Sequence, residues 1–132
     1  MTRYLAVDLG ARKTGLAWCG PGHLVEALEV VATAQLDQAL KRWVDELEID
    51  ILIYGLPLRG GKMAGAAKKV RRSARITGAQ FELPVEFVDE SGTTDEAMQR
   101  PGSKGLDARA AALILERYLE QGPWRPERVK NR

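Results

Sequence analysis

YLAVDLGARKTGLAWCGPG, residues 4–22, decides how this chain folds. Tyr4–Leu9 is apolar except for Asp8 and reads as a strand. A turn over Gly10 to Thr14 follows, then a second strand over Gly15–Cys19. Gly20-Pro21-Gly22 is a strong breaker. The next apolar stretch, about Leu24–Val31, therefore returns as a third, antiparallel strand, although its pattern also fits a helix.

Beyond that hairpin the periodicity changes. Leu36, Leu40, Trp43, Val44 and Leu47 recur at helical spacing, and Ile51–Tyr54 is a short buried strand ended by Gly55-Leu56-Pro57. Met63, Ala67, Val70, Ala74 and Thr77 form the apolar stripe of a second helix, with Lys68, Arg71, Arg72 and Arg75 away from it. Val85–Asp89 is a fifth strand. Thr93 and Glu96 form a capping box for a short helical turn. Gln99–Gly105, with Pro101 and Gly102, reads as a mobile loop, and Asp107–Glu120 as a closing helix stopped by Gly122-Pro123. Three strands followed by alternating helices and strands make a mixed α/β arrangement. With no internal repeat or linker, residues 1–122 read as one domain and 123–132 as a basic tail, loosely held from Trp124.

The composition suits a soluble globular chain: 132 residues, 45% apolar and 29% charged. No apolar run approaches the roughly 18–20 residues that span a bilayer. Asp8 interrupts the N-terminal apolar stretch, so no secretory signal is read there. Cys19 stands alone, which excludes an internal disulfide and any multi-cysteine zinc site and makes the cytoplasm the expected compartment. The net charge of +2 hides a strong polarity. Between Arg59 and Arg75 lie seven basic residues (Arg59, Lys62, Lys68, Lys69, Arg71, Arg72 and Arg75) and no acidic one, whereas Glu26 to Asp50 holds seven acidic residues against Lys41 and Arg42. An ordinary amphipathic helix also has a charged outer face, but one that usually interleaves signs. The unbroken basic run favours phosphate contacts, which position a backbone without reading bases.

Three carboxylates carry the chemistry. Asp8 closes the first strand, Glu90 follows the fifth, and Asp107 opens the last helix. A lone carboxylate in an apolar strand is expensive, so Asp8 needs a partner: Arg12 or Lys13 in a structural ion pair, or a shared cation. Asp107 suits a helix cap, and Asp89 rivals Glu90 because strand alternation turns only one of them to the rim. Carboxylates converging on one rim repel, and hard oxygen donors of this kind suit Mg²⁺ or Mn²⁺. The chemistry so indicated is phosphoryl transfer on a polyanion. His23, the single histidine, lies in the Gly-Pro-Gly hairpin four residues from Cys19, a poor basis for a Cys-His nucleophile. Lys104 reads as a solvated loop lysine that could assist. Trp18, Trp43 and Trp124 read as packing residues, with Trp124 also able to stack on a base.

Four blocks, DLGARKTGLAW, IYGLPLRGG, FVDESGTT and LDARAAALILERYL, occur in an order and spacing that resembles the YqgF/RuvX family. These are ribonuclease-H-like nucleases linked to Holliday-junction resolution and to maturation of the 16S ribosomal RNA precursor. The resemblance implies a five-stranded mixed sheet of order 3-2-1-4-5 with flanking helices. It also implies that Asp8, Glu90 and Asp107 are the catalytic triad, holding one or two Mg²⁺ or Mn²⁺ ions. Ser91 replaces an Arg usual in the family, and Lys13 and Thr14 stand where Arg and Ile are usual.

The expected activity is metal-dependent hydrolysis of phosphodiester bonds in structured nucleic acid, either ribosomal RNA precursor or branched or single-stranded DNA. Arg12, Lys13, Arg59, Lys62, Lys68, Arg71, Arg72 and Arg75 would contact phosphates. The protein would act as a monomer or homodimer with no membrane partner. Two other readings use the same residues. A nucleic-acid-binding module could keep the fold without activity, with Ser91 its best argument. Asp8-Leu9-Gly10 and Gly15 also resemble the first phosphate loop of sugar kinases and actin-like ATPases, but those need two lobes and a second such loop.

Overall fold

The computed structural model describes residues 1–60, 62–90 and 106–125, with the side chains of Leu106 and Asp107 outside that set. The capping box at Thr93 and Glu96, Ser91, and the Gln99–Gly105 stretch with Lys104 also lie outside it. In chain order the elements are β1 (Tyr4–Asp8), β2 (Lys13–Cys19), β3 (Glu26–Ala32), α1 (Leu36–Leu47), β4 (Ile51–Leu56), α2 (Gly65–Phe81), β5 (Val85–Asp89) and α3 (Leu106–Gln121). The sheet order is β3-β2-β1-β4-β5, as expected. β1, β2 and β3 form an antiparallel meander, while β4 runs parallel to β1 and β5 parallel to β4. The stretch that fitted either strand or helix is β3. β2 offers it an unpaired edge, and Thr14↔Val31 and Leu16↔Glu29 are in register there.

Strand alternation divides the core in two. Leu5 and Val7, with Leu16, Trp18, Leu52 and Tyr54, face one side, covered by Leu36 and Leu40 of α1 and Ala67, Val70 and Ala74 of α2. Ala6, Ala17, Ile53 and Val88 face the other side, covered by Ala111, Ile114 and Leu115 of α3. The two sides differ in bulk. Ala6, Ala17 and Ala111 are fully buried, and small residues on both surfaces let α3 lie close to the sheet.

The tail begins differently from expectation. The Trp124 backbone N–H donates to the Phe87 carbonyl at 2.7 Å, and the Arg125 guanidinium pairs with the Glu86 carboxylate at 2.9 Å. β5 is an edge strand, and its outward carbonyls need donors that no further strand supplies. The Trp124 N–H meets that need at Phe87, and together with the Arg125–Glu86 side-chain pair it ties the start of the tail down.

If α3 is held close by small residues, Ala111→Leu should overpack the contact and cost about 1–3 kcal/mol. A thermal melt should fall by several degrees. An unchanged melting temperature would show that the helix has room to spare.

Candidate active site at the carboxyl rim of the sheet

Because β1, β4 and β5 are parallel, their carboxyl ends share one rim. Asp8 follows Ala6 on the α3 side of β1, and Glu90 follows Val88 on the α3 side of β5. Between them lies β4, so the two strands are separated by about 9.5 Å, twice the strand spacing. The β4 residue on that side, after Ile53, is Gly55. With no side chain in the way, Glu90 extends over β4, and its carboxyl group hydrogen-bonds that of Asp8. A Cβ at Gly55 would lie 3.0 Å from Glu90 Cβ and 2.6 Å from Ile114 Cδ1. The Glu90 backbone is fixed by its N–H donating to the Leu56 carbonyl at 3.0 Å. Of the rivals Asp89 and Glu90, Glu90 is the one that meets Asp8.

This contact is electrostatically unfavourable when both groups are ionised. Burial pushes the Glu90 carboxyl up from 4.5 to about 8, reinforced by the Asp8 charge, the hydrogen bond with Asp8 and the nearby Asp89. Arg117 opposes the shift only in part; its Nη1 donates to the Asp89 carbonyl at 2.9 Å. Near neutral pH the pair therefore shares a proton. A divalent cation would replace that proton with two charges, and two half-buried hard carboxylate donors fit Mg²⁺ or Mn²⁺. Among the described residues no group of three or more potential metal-ligating side chains occurs. Asp107, the second residue of α3, sits in the first helical turn rather than at its cap, and its side chain is outside the described set.

The loop after Asp8 is pinned. Thr33 Oγ1 donates to the Gly10 carbonyl at 2.8 Å and lies 2.8 Å from the buried Thr14 hydroxyl. The Thr33 N–H also holds the Arg12 carbonyl at 2.8 Å. Arg12 and Lys13 are exposed on this turn. Arg59 and Lys62, also exposed, close a second tight turn beyond β4 through reciprocal backbone bonds of 3.1 and 3.0 Å. Lys68, Arg71, Arg72 and Arg75 lie further along α2, on the sheet face opposite the carboxylate pair.

Cys19 and His23 are remote from this rim. Cys19 pairs with Tyr4 at the far end of β1, roughly 13 Å from Asp8 at strand rise. The His23 ring rests against Trp18 at 4.8 Å. Trp18 donates to Glu26 and Trp43 to Glu29, so both indoles serve packing. Gly55, Thr33, Ile114 and Arg117 were not singled out from the sequence. The one available signal was Gly55 itself, since a glycine within a strand marks close approach by another group.

Sheet order and helices define a ribonuclease-H-like fold, and solved structures agree. The Thermus thermophilus RuvC chain bound to a Holliday junction superposes with a TM-score of 0.57 at 13% identity, over 92% of this chain and 97% of that one. A second T. thermophilus RuvC structure gives 0.56 at 15% identity, over 92% and 98% of the two chains. At such identities the likeness concerns the fold. The family follows from sequence: the RuvX profile, described as Holliday junction resolvase, matches residues 2–121. The chain belongs to the RuvX family. A relative from Picosynechococcus sp. PCC 7002, provisionally named a pre-16S rRNA nuclease, is 35% identical over 88% of this chain and 90% of its own length. One of the same provisional name from Acaryochloris marina is 34% identical over 91% and 93%. The chain is thus of a nuclease family.

The carboxylate contact makes stability depend on pH in metal-free protein. Between about 4.5 and 8 the folded state binds more protons at Glu90 than the unfolded chain, so stability falls as pH rises through that window and levels off above it. Glu90→Gln removes the slope. In EDTA its melting temperature should exceed that of the wild type at pH 8, by the equivalent of a few kcal/mol at most, and converge with it near pH 5. A constant difference across that range would contradict the buried pair. Gly55→Ala should lower stability by about 1–3 kcal/mol. By displacing Glu90 it should also remove most of the pH dependence, measurable in the same melts.

Proposed function

We propose that this protein is a divalent-metal-dependent nuclease that hydrolyses phosphodiester bonds in structured nucleic acid. The observation carrying the reading is the direct contact of Asp8 and Glu90 at the carboxyl rim. Two carboxylates held together against their repulsion serve no packing purpose there and form a ready-made cation site. Asp8, Glu90 and Asp107 would hold one or two Mg²⁺ or Mn²⁺ ions. A bound ion of this kind supplies a water nucleophile at neutral pH and stabilises charge on the phosphate.

The chain's own residues set the stage. The Leu56 carbonyl fixes the Glu90 backbone, and Arg117 holds Asp89 and tempers the negative field. Thr33 holds the loop that presents Arg12 and Lys13, while the turn of Arg59 and Lys62 flanks the other side. These four cations would bind phosphates on either side of the cut, without base readout. The names of the relatives favour the 5′ end of the 16S ribosomal RNA precursor as substrate, and the family description favours branched DNA of the Holliday-junction type. Either substrate belongs to the cytoplasm, and the reading requires no membrane; trimming an RNA end would need one subunit, whereas symmetrical cleavage of a junction would need a homodimer.

Asp8→Asn should reduce Mg²⁺- or Mn²⁺-dependent cleavage by at least ~10³-fold, a loss of roughly 4 kcal/mol of transition-state stabilisation. Binding of the same substrate, followed by fluorescence anisotropy in EDTA, should change little. The assay uses a ribosomal precursor leader and a four-way junction. If the wild type binds both but cuts neither with either metal, the protein is a binding module and the nuclease reading falls.

A further inference from the structure

The basic residues do not surround the carboxylates; they lead away from them. Asp8 and Glu90 face the α3 side of the sheet, while α2 covers the other side. The path begins at the exposed Arg59 and Lys62, on the turn beyond the carboxyl end of β4. It continues along one flank of α2 through Lys68, Arg71, Arg72 and Arg75. Those four stand at i, i+3, i+4 and i+7, so neighbours on the stripe are about 5–6 Å apart. From Gly65 to Arg75 the helix advances roughly 15 Å. Among the described residues none of the four has a carboxylate partner, and from Arg59 to Phe81 the sequence has no acidic residue. Four adjacent cations without counter-charges repel one another. A face of this kind is suited to an anionic polymer.

We infer that the α2 stripe is a second nucleic-acid surface, separate from the cutting site, which holds a single-stranded arm of the substrate that has passed over the rim. The position of the cut rests on the nuclease reading above. The choice of a single strand follows from the geometry. An arm that begins at the α3 face and ends on the α2 flank must turn over the carboxyl rim of the sheet within a few nucleotides. Duplex DNA has a persistence length of about 150 base pairs, and a sharp bend costs several kcal/mol. A single strand turns freely and presents its phosphates to the cations one after another.

The test compares three substrates with the same cut site: a minimal one, one with a single-stranded extension of about 15 nucleotides, and one with a duplex extension of equal length. The single-stranded extension should raise wild-type affinity at least ~10-fold, and the duplex extension less than ~2-fold. In the double variant Arg72→Ala with Arg75→Ala the gain should disappear, while affinity and cleavage of the minimal substrate stay as in the wild type. The salt dependence of binding the extended strand should become shallower by about 0.7 for each lost contact. Arg72→Lys with Arg75→Lys should keep most of the gain, since backbone contacts need charge rather than a guanidinium fork; this variant also controls for folding. Removing Lys41 and Lys69 instead, an equal loss of charge off the stripe, should leave the gain intact. Equal gain from duplex, equal weakening of the minimal substrate, or no gain from any extension would overturn the inference. Wild-type binding that gains from the extension without any cleavage would support the stripe and reject only the nuclease reading.

Discussion

The structure is organised around a contact that electrostatics opposes. Asp8 and Glu90 come from strands that are not neighbours and meet only because β4 has no side chain at Gly55. The surrounding structure over-determines the arrangement. The Leu56 carbonyl holds the Glu90 backbone, Ile114 closes over Gly55, and Arg117 from α3 reaches the Asp89 carbonyl. None of these removes the cost, which stays visible in the Glu90 carboxyl, raised first by burial and then by the neighbouring Asp8. A fold that stores such a cost at one rim must draw its stability from elsewhere.

The two faces of the sheet share that burden unequally. The side of α1 and α2 carries the large side chains, among them Leu5, Leu16, Leu40, Leu52 and Leu56, all fully buried. The α3 side is lined by alanines and a few aliphatic residues and keeps the backbone close to the helix. Bulk burial thus stabilises one face while the other is shaped for approach. The same division explains why the cations along α2 cannot be direct neighbours of the carboxylates. They cover the thick layer, and the carboxylates sit at the edge of the thin one.

Much of this was legible in the sequence, because period and punctuation are local. The apolar alternation in YLAVD, the Gly20-Pro21-Gly22 break and the helical spacing of Leu36, Leu40 and Leu47 located their elements to within a residue or two. The strand order came from the family resemblance rather than from the residues. Other features depended on tertiary partners. Leu24–Val31 fits two periods, and only the open edge of β2 selects the strand. α2 runs on to Phe81 and ends with Glu82 in the left-handed region, at φ 55°, where a reader expects glycine, so its end carried no local signal. The role of Gly55 is invisible without knowing that β4 lies between β1 and β5. The anchoring of Trp124 and Arg125 needed the knowledge that β5 is an edge. Asp8, Glu90 and Asp107 are conspicuous as carboxylates at the ends of elements, whereas the choice of Glu90 over Asp89, and of a site role over a cap for Asp107, leans on the family resemblance.

Register links core and site more tightly than the motifs suggest. In β1 the residues with large apolar side chains, Leu5 and Val7, must face α1 and α2, and the even positions therefore face α3. Asp8 is turned to the α3 side by the same alternation that buries Leu5, with no separate instruction. A slip of one residue would drive Ala6 and Asp8 into the thick layer and leave two large aliphatics against the alanines of α3, an exchange that the core forbids on both sides. The parallel pairing of β1 with β4 then sets Gly55 beside Asp8, and that of β4 with β5 pairs Gly55 with Val88 and Leu56 with Asp89, so that Glu90 leaves the strand just beyond that level and reaches back over Gly55. The carboxylate pair is thus a consequence of core packing read out at the strand ends.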